Sequence, residues 1–412
     1  MATTHEQNER LTQVGPGTPM GNLLRHYWQV VGALPELDAD PVRRVRIFGE
    51  DLTLYRSEGG EYGLIGNRCP HRCMDMSFGI PHADGLRCAY HGWLFNAAGK
   101  CLEMPFEDRT HPEARFRDKV TIKAYPVEEL GGLIFAYLGP LPAPPLPRWD
   151  LLARDDLNVV VEVHPLPCNW LQCMDNAADP VHFEWLHANF GNYQLKKIGL
   201  PPAFNARPHV RIEFEPFEWG ITKRRLLEGE PEDSHDWVTG HPLIFPNALA
   251  VMSATGEGAT LQFRVPIDDT KTVQFAYRTV PVAPGAARKP ITVKYTRLFN
   301  DDGSLIPDGN PLAHNVPPQD MLAWVAQGSI SERPEEHLGS SDRGLIMYHK
   351  MLVDQMERVE RGERPNLGVV EDPAVNQPFI ELRRERVGLQ AFELKYDTYY
   401  EKIEETAGTV TG

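Results

Sequence analysis

Two short loops in the sequence repeat a pattern of one cysteine and one histidine. The first loop, "CPHRC", contains Cys69 and His71, and the second, "CAYHGW", contains Cys88 and His91 after a gap of sixteen residues. Two thiolates and two imidazoles can close a tetrahedral structural zinc site. They can also hold a two-iron, two-sulfur cluster with thiolates on one iron and imidazoles on the other. The sequence therefore predicts a metal centre on these two loops.

The remaining cysteines leave a further alternative open. A four-thiolate cluster could be held by Cys69, Cys73, Cys88 and Cys101, but it would leave both histidines without a role. A cluster with neutral histidine ligands has a raised potential and accepts single electrons, which is useful only if another site consumes them. We therefore favour the two-iron cluster with mixed ligands over zinc, which explains nothing else in the chain, and interpret Cys73 and Cys101 as packed residues.

A second pattern lies about ninety residues downstream, in "NWLQCMDNAADPVHFEWLH", and contains Asp179, His182 and His187. The run predicts a long helix from Asn169 to about residue 190. Five residues turn an ideal α-helix about 140° away from the starting direction, so the two imidazoles share a face only if the helix bends or widens to a π-helix. Asp179 precedes a proline, so it could simply be a helix N-cap.

Taken together, these motifs resemble those of Rieske non-haem iron ring-hydroxylating oxygenase α subunits. Cys73 stands where that family usually has glycine. The family pattern Asp/Glu-Asn-x-x-Asp-x-x-His-x4-His is matched at Asp175, Asn176, Asp179, His182 and His187. The resemblance implies an α+β fold, with an N-terminal all-β Rieske domain and a C-terminal catalytic domain in which helices flank a large antiparallel sheet.

The resemblance also implies two iron centres. Cys69, His71, Cys88 and His91 would hold a Rieske 2Fe-2S cluster. His182 and His187 would hold a mononuclear Fe(II) that needs one carboxylate more.

In the family this carboxylate follows the sheet and opens a helix, which is the context of Asp320. Asp342 is the alternative, and Asp301 and Asp302 fit less well. An acid near a helix N-terminus can also be a purely electrostatic feature of the helix.

By the same resemblance Asp179 would serve electron transfer. It would link His182 to His91 of the next subunit, in a homotrimer or a stacked hexamer.

Alternation of apolar residues predicts short strands from about residue 42 to 140 and a second sheet from about 208 to 300. A proline-rich stretch at 140–149 separates them. We expect an N-terminal helical segment at 1–40, with an amphipathic helix around Met20 to Val31, a Rieske domain at 41–148 and a catalytic domain at 149–412. Further helices are predicted at about 318–327, 341–360 and 388–407.

The formal net charge of −15 argues against nucleic acid or an anionic membrane as the main partner. There is no apolar run long enough to span a bilayer and no pattern of a signal peptide, so we expect a cytoplasmic protein.

The resemblance is strongest to the phthalate-dioxygenase and aryl-ether O-demethylase branch. It implies a terminal oxygenase that uses O2 to hydroxylate, dihydroxylate or O-demethylate an aromatic substrate. Electrons from NAD(P)H would arrive through a separate reductase or ferredoxin, because the chain lacks a dinucleotide or flavin motif. The alternative is an electron carrier or redox sensor without oxygenase chemistry.

That branch often takes aromatic carboxylates, which guanidinium groups bind well. The candidate carboxylate anchors are Arg207, Arg224, Arg225, Arg264 and Arg278.

Overall fold

The computed structural model describes residues 3–252, 259–307 and 311–383, and the part it describes contains four β-sheets and helices concentrated towards the C-terminus. The strands are β1 Trp28–Ala33, β2 Val42–Ile47, β3 Glu50–Arg56, β4 Tyr62–Gly66, β5 Ile80–His82, β6 Gly85–Arg87, β7 Leu94–Phe95, β8 Cys101–Glu103, β9 Ala124–Tyr125, β10 Val127–Leu130, β11 Leu133–Tyr137, β12 Leu157–Leu166, β13 His209–Phe217, β14 Gly220–Leu227, β15 His241–Ile244, β16 Ala248–Met252, β17 Ala259–Pro266, β18 Thr272–Pro281 and β19 Thr292–Tyr295. The α-helices are α1 His5–Thr12, α2 Pro19–Leu24, α3 Leu34–Ala39, α4 Glu107–Thr110, α5 Asp150–Ala153, α6 Trp170–Ala178, α7 Gly191–Lys197, α8 His235–Val238, α9 Pro311–His314, α10 Val316–Val325 and α11 Arg343–Glu360. A π-helix spans Phe183–Phe190.

Three small sheets form the N-terminal part of the chain, with strand orders β1-β11-β10, β2-β3-β4-β9 and β5-β6-β7-β8. All their paired strands are antiparallel. The four strands of the third sheet are only two or three residues long. The predicted all-β character of this region is confirmed.

The helix expected around Met20 to Val31 was wrong in its second half. Thr18 caps α2 by accepting a hydrogen bond from the backbone N–H of Gly21, and the helix ends at Leu24. Trp28–Ala33 is instead a fully buried strand that pairs with β11. Its aromatic and β-branched residues suit a strand buried on both faces better than one stripe of a surface helix.

The large sheet of the C-terminal part has eight strands in the order β13-β14-β15-β16-β17-β18-β12-β19. It is antiparallel throughout except at one edge, where β19 runs parallel to β12. The short strand β15 had no counterpart in the sequence pattern. The predicted large antiparallel sheet is confirmed, with this parallel edge pair as an addition.

The long helix expected from Asn169 to about residue 190 is divided in two. Asn169 caps α6 by accepting a hydrogen bond from the backbone N–H of Leu171, and α6 ends at Ala178. Asp179 is extended, with φ −92° and ψ 121°, because a residue before proline is driven out of the helical region. The chain then enters the π-helix, which confirms the widening that the spacing of His182 and His187 required.

Helices α10 and α11 confirm the predictions at about 318–327 and 341–360. The helix predicted at 388–407 lies outside the described residues. No helix of the described ranges is long and apolar enough to cross a membrane.

Apolar packing does not separate the expected domains at residue 148. One core cluster contains Leu54 and Leu64 of the N-terminal sheets together with Trp170 and Tyr348 of the C-terminal part. A second core lies beneath the Cys/His loops, and a third packs α6 and α10 against the large sheet. The division of the chain into domains at 1–40, 41–148 and 149–412 therefore stays a prediction, because residues of all three ranges pack in one hydrophobic core.

Candidate metal centres

The two Cys/His loops have the same backbone hydrogen bonds. The Cys69 N–H donates to the carbonyl of Met74 at 2.9 Å, and the Cys88 N–H donates to the carbonyl of Trp93 at 2.8 Å. The carbonyl of each cysteine accepts a hydrogen bond from the residue four positions later, Cys73 in the first loop and Gly92 in the second, at 2.8 and 3.0 Å. The repeated order of thiol and imidazole in the sequence is therefore a repeated turn in the structure.

An arginine supports each turn in the same way. Arg68 donates to the carbonyl of Cys73 at 3.2 Å, and Arg87 donates to the carbonyl of Gly92 at 2.7 Å. Each arginine immediately precedes the cysteine of its loop. The two turns, at residues 69–74 and 88–93, thus have matching hydrogen bonds. We refer to them below as the two clasps.

The four candidate ligands converge between the clasps. Cys69 and Cys88 are buried, whereas His71 and His91 are exposed with ring centroids 4.4 Å apart. The ring of Trp93 stacks on His71 at 4.4 Å. Burial, together with the neighbouring Cys88, raises the pKa of the Cys69 thiol to about 12. A buried thiol such as that of Cys69 ionises readily only when a metal cation binds it.

The geometry favours a two-iron cluster over a single zinc ion. Among the described residues, the one group of three or more potential ligand atoms within 4.8 Å of one another is found elsewhere in the chain, at His182, His187 and Asp320. The thiols and imidazoles of the loops are thus spread too widely for one ion. Cys101 is buried with its thiol directed to the carbonyl of Glu103, as expected for a packed residue, but Cys73 is exposed and not packed, so that prediction was wrong.

Cys73 has a strained backbone. Its φ is +57°, and its equivalent in the second clasp, Gly92, has φ +76°. A side chain at such a φ costs about 1–2 kcal/mol, a cost that glycine does not incur. The departure from the glycine of the resembling family therefore leaves the fold of the turn unchanged but makes it less stable.

We expect Cys73→Gly to stabilise the protein by about 0.5–1 kcal/mol, since relief of the strain exceeds the added freedom of the unfolded chain. Urea unfolding of the metal-loaded protein measures the change. Cys73→Ala is the matched control, because it removes the thiol and keeps the Cβ atom. An equal gain in Cys73→Ala would show that the thiol, not the backbone, is responsible.

The second candidate centre lies where the π-helix meets α10. Nε2 of His187 is 3.1 Å from Oδ1 of Asp320, and Nε2 of His182 is 3.5 Å from the same oxygen. This oxygen is buried and has no conventional hydrogen-bond partner. Burial alone would raise the pKa of Asp320, but the neighbouring His187 and His182 and the Lys223 cation hold it below its ordinary value. Two imidazoles and an ionised carboxylate are the donor set that suits non-haem Fe(II).

Both histidines are oriented by partners on their other ring nitrogen. Oδ2 of Asp179 accepts from Nδ1 of His182 at 3.2 Å, and Oε1 of Gln319 accepts from Nδ1 of His187 at 2.9 Å. Gln319 is itself fixed because its amide nitrogen donates to the carbonyl of Leu312 at 2.7 Å. With Nδ1 protonated, Nε2 of each ring is free to bind a metal. Gln319 was missed in the sequence, although its place beside Asp320 at the start of a helix was a usable signal.

The other candidate carboxylates, those of Asp301, Asp302 and Asp342, lie in other surroundings. Asp342 occupies the N-cap position of α11 without a side-chain bond to the helix, and its carboxylate accepts a hydrogen bond from the backbone N–H of Gly339. Asp301 pairs with Arg297, and Asp302 accepts from Ser304. Asp320 is thus the candidate carboxylate that the structure brings to the two histidines.

Asp175, another residue of the sequence motif, lies in a buried ion-pair network. Its carboxylate contacts Arg333 at 2.5 Å and Nε2 of His349 at 2.6 Å. Arg333 also donates to the side chain of Asn8 in α1. Asp175 therefore holds α6 against α1 and α11. Because these elements are distant in sequence, the motif alone could not show this role.

A cavity of about 220 Å³ opens beside His187. Phe183 and Phe204 supply apolar walls, and Arg207 and Arg225 are polar members of the lining. The guanidinium of Arg225 lies 3.7 Å from the ring centroid of Phe183. An aromatic molecule of modest size could therefore reach the vicinity of the His/His/Asp group.

Comparisons with known proteins agree with this geometry. A sequence family described as the Rieske [2Fe-2S] domain matches residues 27–126, and one described as "LigXa C-terminal domain like" matches residues 299–383. The chain is 41% identical to the 5,5'-dehydrodivanillate O-demethylase oxygenase subunit of Sphingobium sp. (strain NBRC 103272 / SYK-6), over 95% of this chain and 90% of that protein. It is 32% identical to the phenoxybenzoate dioxygenase subunit alpha of Ectopseudomonas oleovorans, over 86% of each chain.

The fold has solved counterparts. The oxygenase in the reduced complex between oxygenase and ferredoxin of carbazole 1,9a-dioxygenase superposes with a TM-score of 0.58, at 18% identity, over 84% of this chain and 93% of that one. Fold, paired metal-binding geometry and sequence relatives lead to one conclusion. The chain belongs to the Rieske-type oxygenase α subunits, terminal oxygenase components that carry a Rieske [2Fe-2S] cluster and a mononuclear iron site.

Proposed function

We propose that Cys69, His71, Cys88 and His91 hold the Rieske cluster and that His182, His187 and Asp320 hold the mononuclear iron. The matched clasps and the convergence of the four side chains support the first set. The shared, otherwise unpartnered Asp320 oxygen supports the second. The iron would supply the site at which O2 is reduced, and the cluster would supply electrons one at a time.

The chain's own residues would then orient and connect these centres. Gln319 and Asp179 direct Nε2 of the two histidines towards the iron position, as described above. Asp179 retains a partly exposed carboxylate, with about a quarter of its side chain accessible. We propose that this carboxylate meets His91 of a neighbouring subunit, whose ring is exposed in the single chain. A homotrimer or hexamer of head-to-tail subunits would provide that contact.

A separate ferredoxin or reductase would deliver electrons to the exposed edges of His71 and His91. These electrons would come originally from NAD(P)H. The ferredoxin complex of a structurally similar oxygenase supports this type of partner. We infer a cytoplasmic location from this dependence on reduced nucleotides. The family membership and the His/His/Asp group favour the oxygenase over a simple electron carrier, which needs only the cluster.

We propose that the reaction is oxidative O-demethylation of a methoxylated aromatic acid. The observation that carries this proposal is the 41% identity, over nearly the whole chain, to an O-demethylase oxygenase subunit. The apolar cavity beside His187 is suited to an aromatic ring. The likeness to a dioxygenase α subunit makes ring dihydroxylation the second candidate.

The test is turnover by the full-length, metal-loaded protein with NADH and a surrogate reductase. With 5,5'-dehydrodivanillate or 3-methoxybenzoate, we expect substrate-dependent O2 uptake and release of one formaldehyde per methyl group removed. A dihydrodiol without formaldehyde would support the second candidate instead. If the cluster is reduced but neither substrate causes O2 uptake, the result would contradict the oxygenase proposal.

A further inference from the structure

We propose that Lys223 is a positioning residue for electron transfer, which holds Asp179 where its carboxylate can connect the two metal centres. The inference rests on the function proposed above, in which Asp179 lies on the electron path between the cluster and the iron. Lys223 lies on β14 of the large sheet and is buried, with 8% of the residue exposed. A buried lysine is uncommon in a folded protein, because its ammonium group loses its hydration.

The break between α6 and the π-helix leaves a backbone carbonyl for Lys223 to bind. Asp179 is extended at this break, and the next residue, Pro180, has no backbone N–H. A carbonyl at the end of an α-helix lacks its regular intrahelical partner. Nζ of Lys223 donates to the carbonyl of Asp179 at 3.0 Å. The large sheet thus supplies a donor at the residue where the helical path is interrupted.

The carboxylate of Asp179 is held from the opposite direction, by the start of the π-helix. One oxygen accepts from the Val181 N–H at 2.7 Å, and the other accepts from the N–H and from Nδ1 of His182, both at 3.2 Å. These bonds fix the carboxylate relative to His182 but not relative to the sheet. Of the hydrogen bonds that described residues make to Asp179, the one from Lys223 is the link to the large sheet.

The part of the sheet that carries Lys223 is tightly packed. Lys223 is paired with Phe214 on β13 and with His241 on β15. A Cβ atom at Gly344 of α11 would lie 2.2 Å from the ring of Phe214 and 2.7 Å from the carbonyl of Ala178. Strand β13, α11 and the end of α6 therefore meet without free space. A side chain carried by such a rigid region can set the position of another residue.

The Lys223 cation also acts on the two acids that flank His182. Asp179 contacts Nδ1 of this ring, and Asp320 lies 3.5 Å from its Nε2. Against the effect of burial, the neighbouring histidines and, further, the Lys223 cation hold the pKa of both acids below its ordinary value. Burial, together with the Arg225 cation, lowers the pKa of Lys223 to about 8, so its ammonium group is mainly charged at neutral pH. One buried cation thus favours the ionised form of both acids.

The test is a double-mutant cycle between Lys223 and Asp179 in the full-length, metal-loaded protein. The measured quantity is the rate at which the reduced cluster is reoxidised in a single turnover by O2 and either 5,5'-dehydrodivanillate or 3-methoxybenzoate, whichever supports O2 uptake. We expect Lys223→Met to lower this rate about tenfold or more with unchanged iron and sulfide content. Because Lys223 acts through Asp179, we expect little further loss when Lys223→Met is added to Asp179→Asn.

Amide hydrogen exchange gives a second readout, which needs no substrate. We expect residues 179–187 to exchange faster in Lys223→Met, because the Val181 and His182 N–H groups donate to a carboxylate that has lost its link to the sheet. Exchange in the two clasps should be unchanged. Lys223→Arg keeps a cation and donors, so it should retain more of the reoxidation rate than Lys223→Met.

Ile221→Val is the control for a loss of stability alone. Ile221 is buried two residues before Lys223 on the same strand. Its truncation should lower the urea midpoint of unfolding and leave the reoxidation rate unchanged. If Lys223→Met does not fold, Lys223→Gln, which keeps a polar side chain without the charge, takes its place in the cycle with the same expected result.

The outcomes distinguish the role of the lysine from the proposed function. A wild-type reoxidation rate in Lys223→Met, or rate losses that add fully in the double variant, would overturn the role of Lys223. Loss of the mononuclear iron in Lys223→Met would do so too, since the lysine would then serve the iron site and not Asp179. A wild-type rate in Asp179→Asn would instead remove the electron path itself.

Discussion

Asp179→Asn is expected to reduce turnover by about a hundredfold or more while both metal centres stay loaded. Asparagine keeps the size of the side chain and can still accept the hydrogen bond that the Val181 N–H gives to Asp179 at 2.7 Å. It removes the negative charge opposite Nδ1 of His182. Burial alone would raise the pKa of Asp179, but its hydrogen bonds with His182 and the Val181 N–H, together with the Lys223 cation, hold it below its ordinary value. The lost charge should therefore slow electron transfer between the centres.

The measurements are iron and sulfide content, the spectrum of the reduced cluster and the rate at which substrate and O2 reoxidise it in a single turnover. Glu184→Gln is the matched control, because Glu184 is an acid of the adjoining π-helix that pairs with His209 instead of His182. It should retain most of the wild-type turnover. Unchanged single-turnover rates in Asp179→Asn would remove the electron-transfer role, and loss of the mononuclear iron would indicate that Asp179 only positions His182.

Asp320→Ala is expected to abolish turnover by loss of the mononuclear iron. Without this carboxylate, the site is reduced to two neutral imidazoles, a poor donor set for Fe(II). The Rieske cluster rests on a separate core and should remain. Iron should fall from about three to about two atoms per chain with sulfide unchanged, in keeping with a two-iron, two-sulfur cluster.

Asp342→Ala is the control for Asp320, because Asp342 was the alternative ligand in the sequence. In the structure its carboxylate accepts one exposed hydrogen bond, from the Gly339 N–H, so its removal should cost about 1 kcal/mol of stability or less and no iron. Retention of three irons in Asp320→Ala together with their loss in Asp342→Ala would reverse the ligand assignment.

The sequence predicted those features that depend on local spacing. The five-residue separation of His182 and His187 implied a widened helix, and Pro180 explains why the helix breaks just before it. The Cys/His loops were recognisable because the cysteine and the histidine of each loop lie within four residues of each other. The strand character of Trp28–Ala33 was not recognised, since its apolar run fits either a helix or a strand and only pairing with β11 decides between them.

Features that depend on contacts between distant segments could not be read in this way. The pairing of Asp175 with Arg333 joins positions 158 residues apart. The five candidate arginines looked equivalent in the sequence, because the carboxylate partners of four of them come from other segments. Only the three-dimensional arrangement shows that Arg207 pairs with Glu230, Arg224 with Glu215, Arg225 with Asp236 and Arg278 with Glu162.

The π-helix also bears on how this iron site could change during evolution. A π-helix accommodates an extra residue relative to an α-helix of similar length. Deleting one residue between His182 and His187 would leave them four apart, about 40° from each other on an ordinary α-helix. Both rings could then still face the same ion. Helix winding and residue spacing can therefore compensate for each other, so the metal site could survive a one-residue insertion or deletion that would displace side chains elsewhere in the fold.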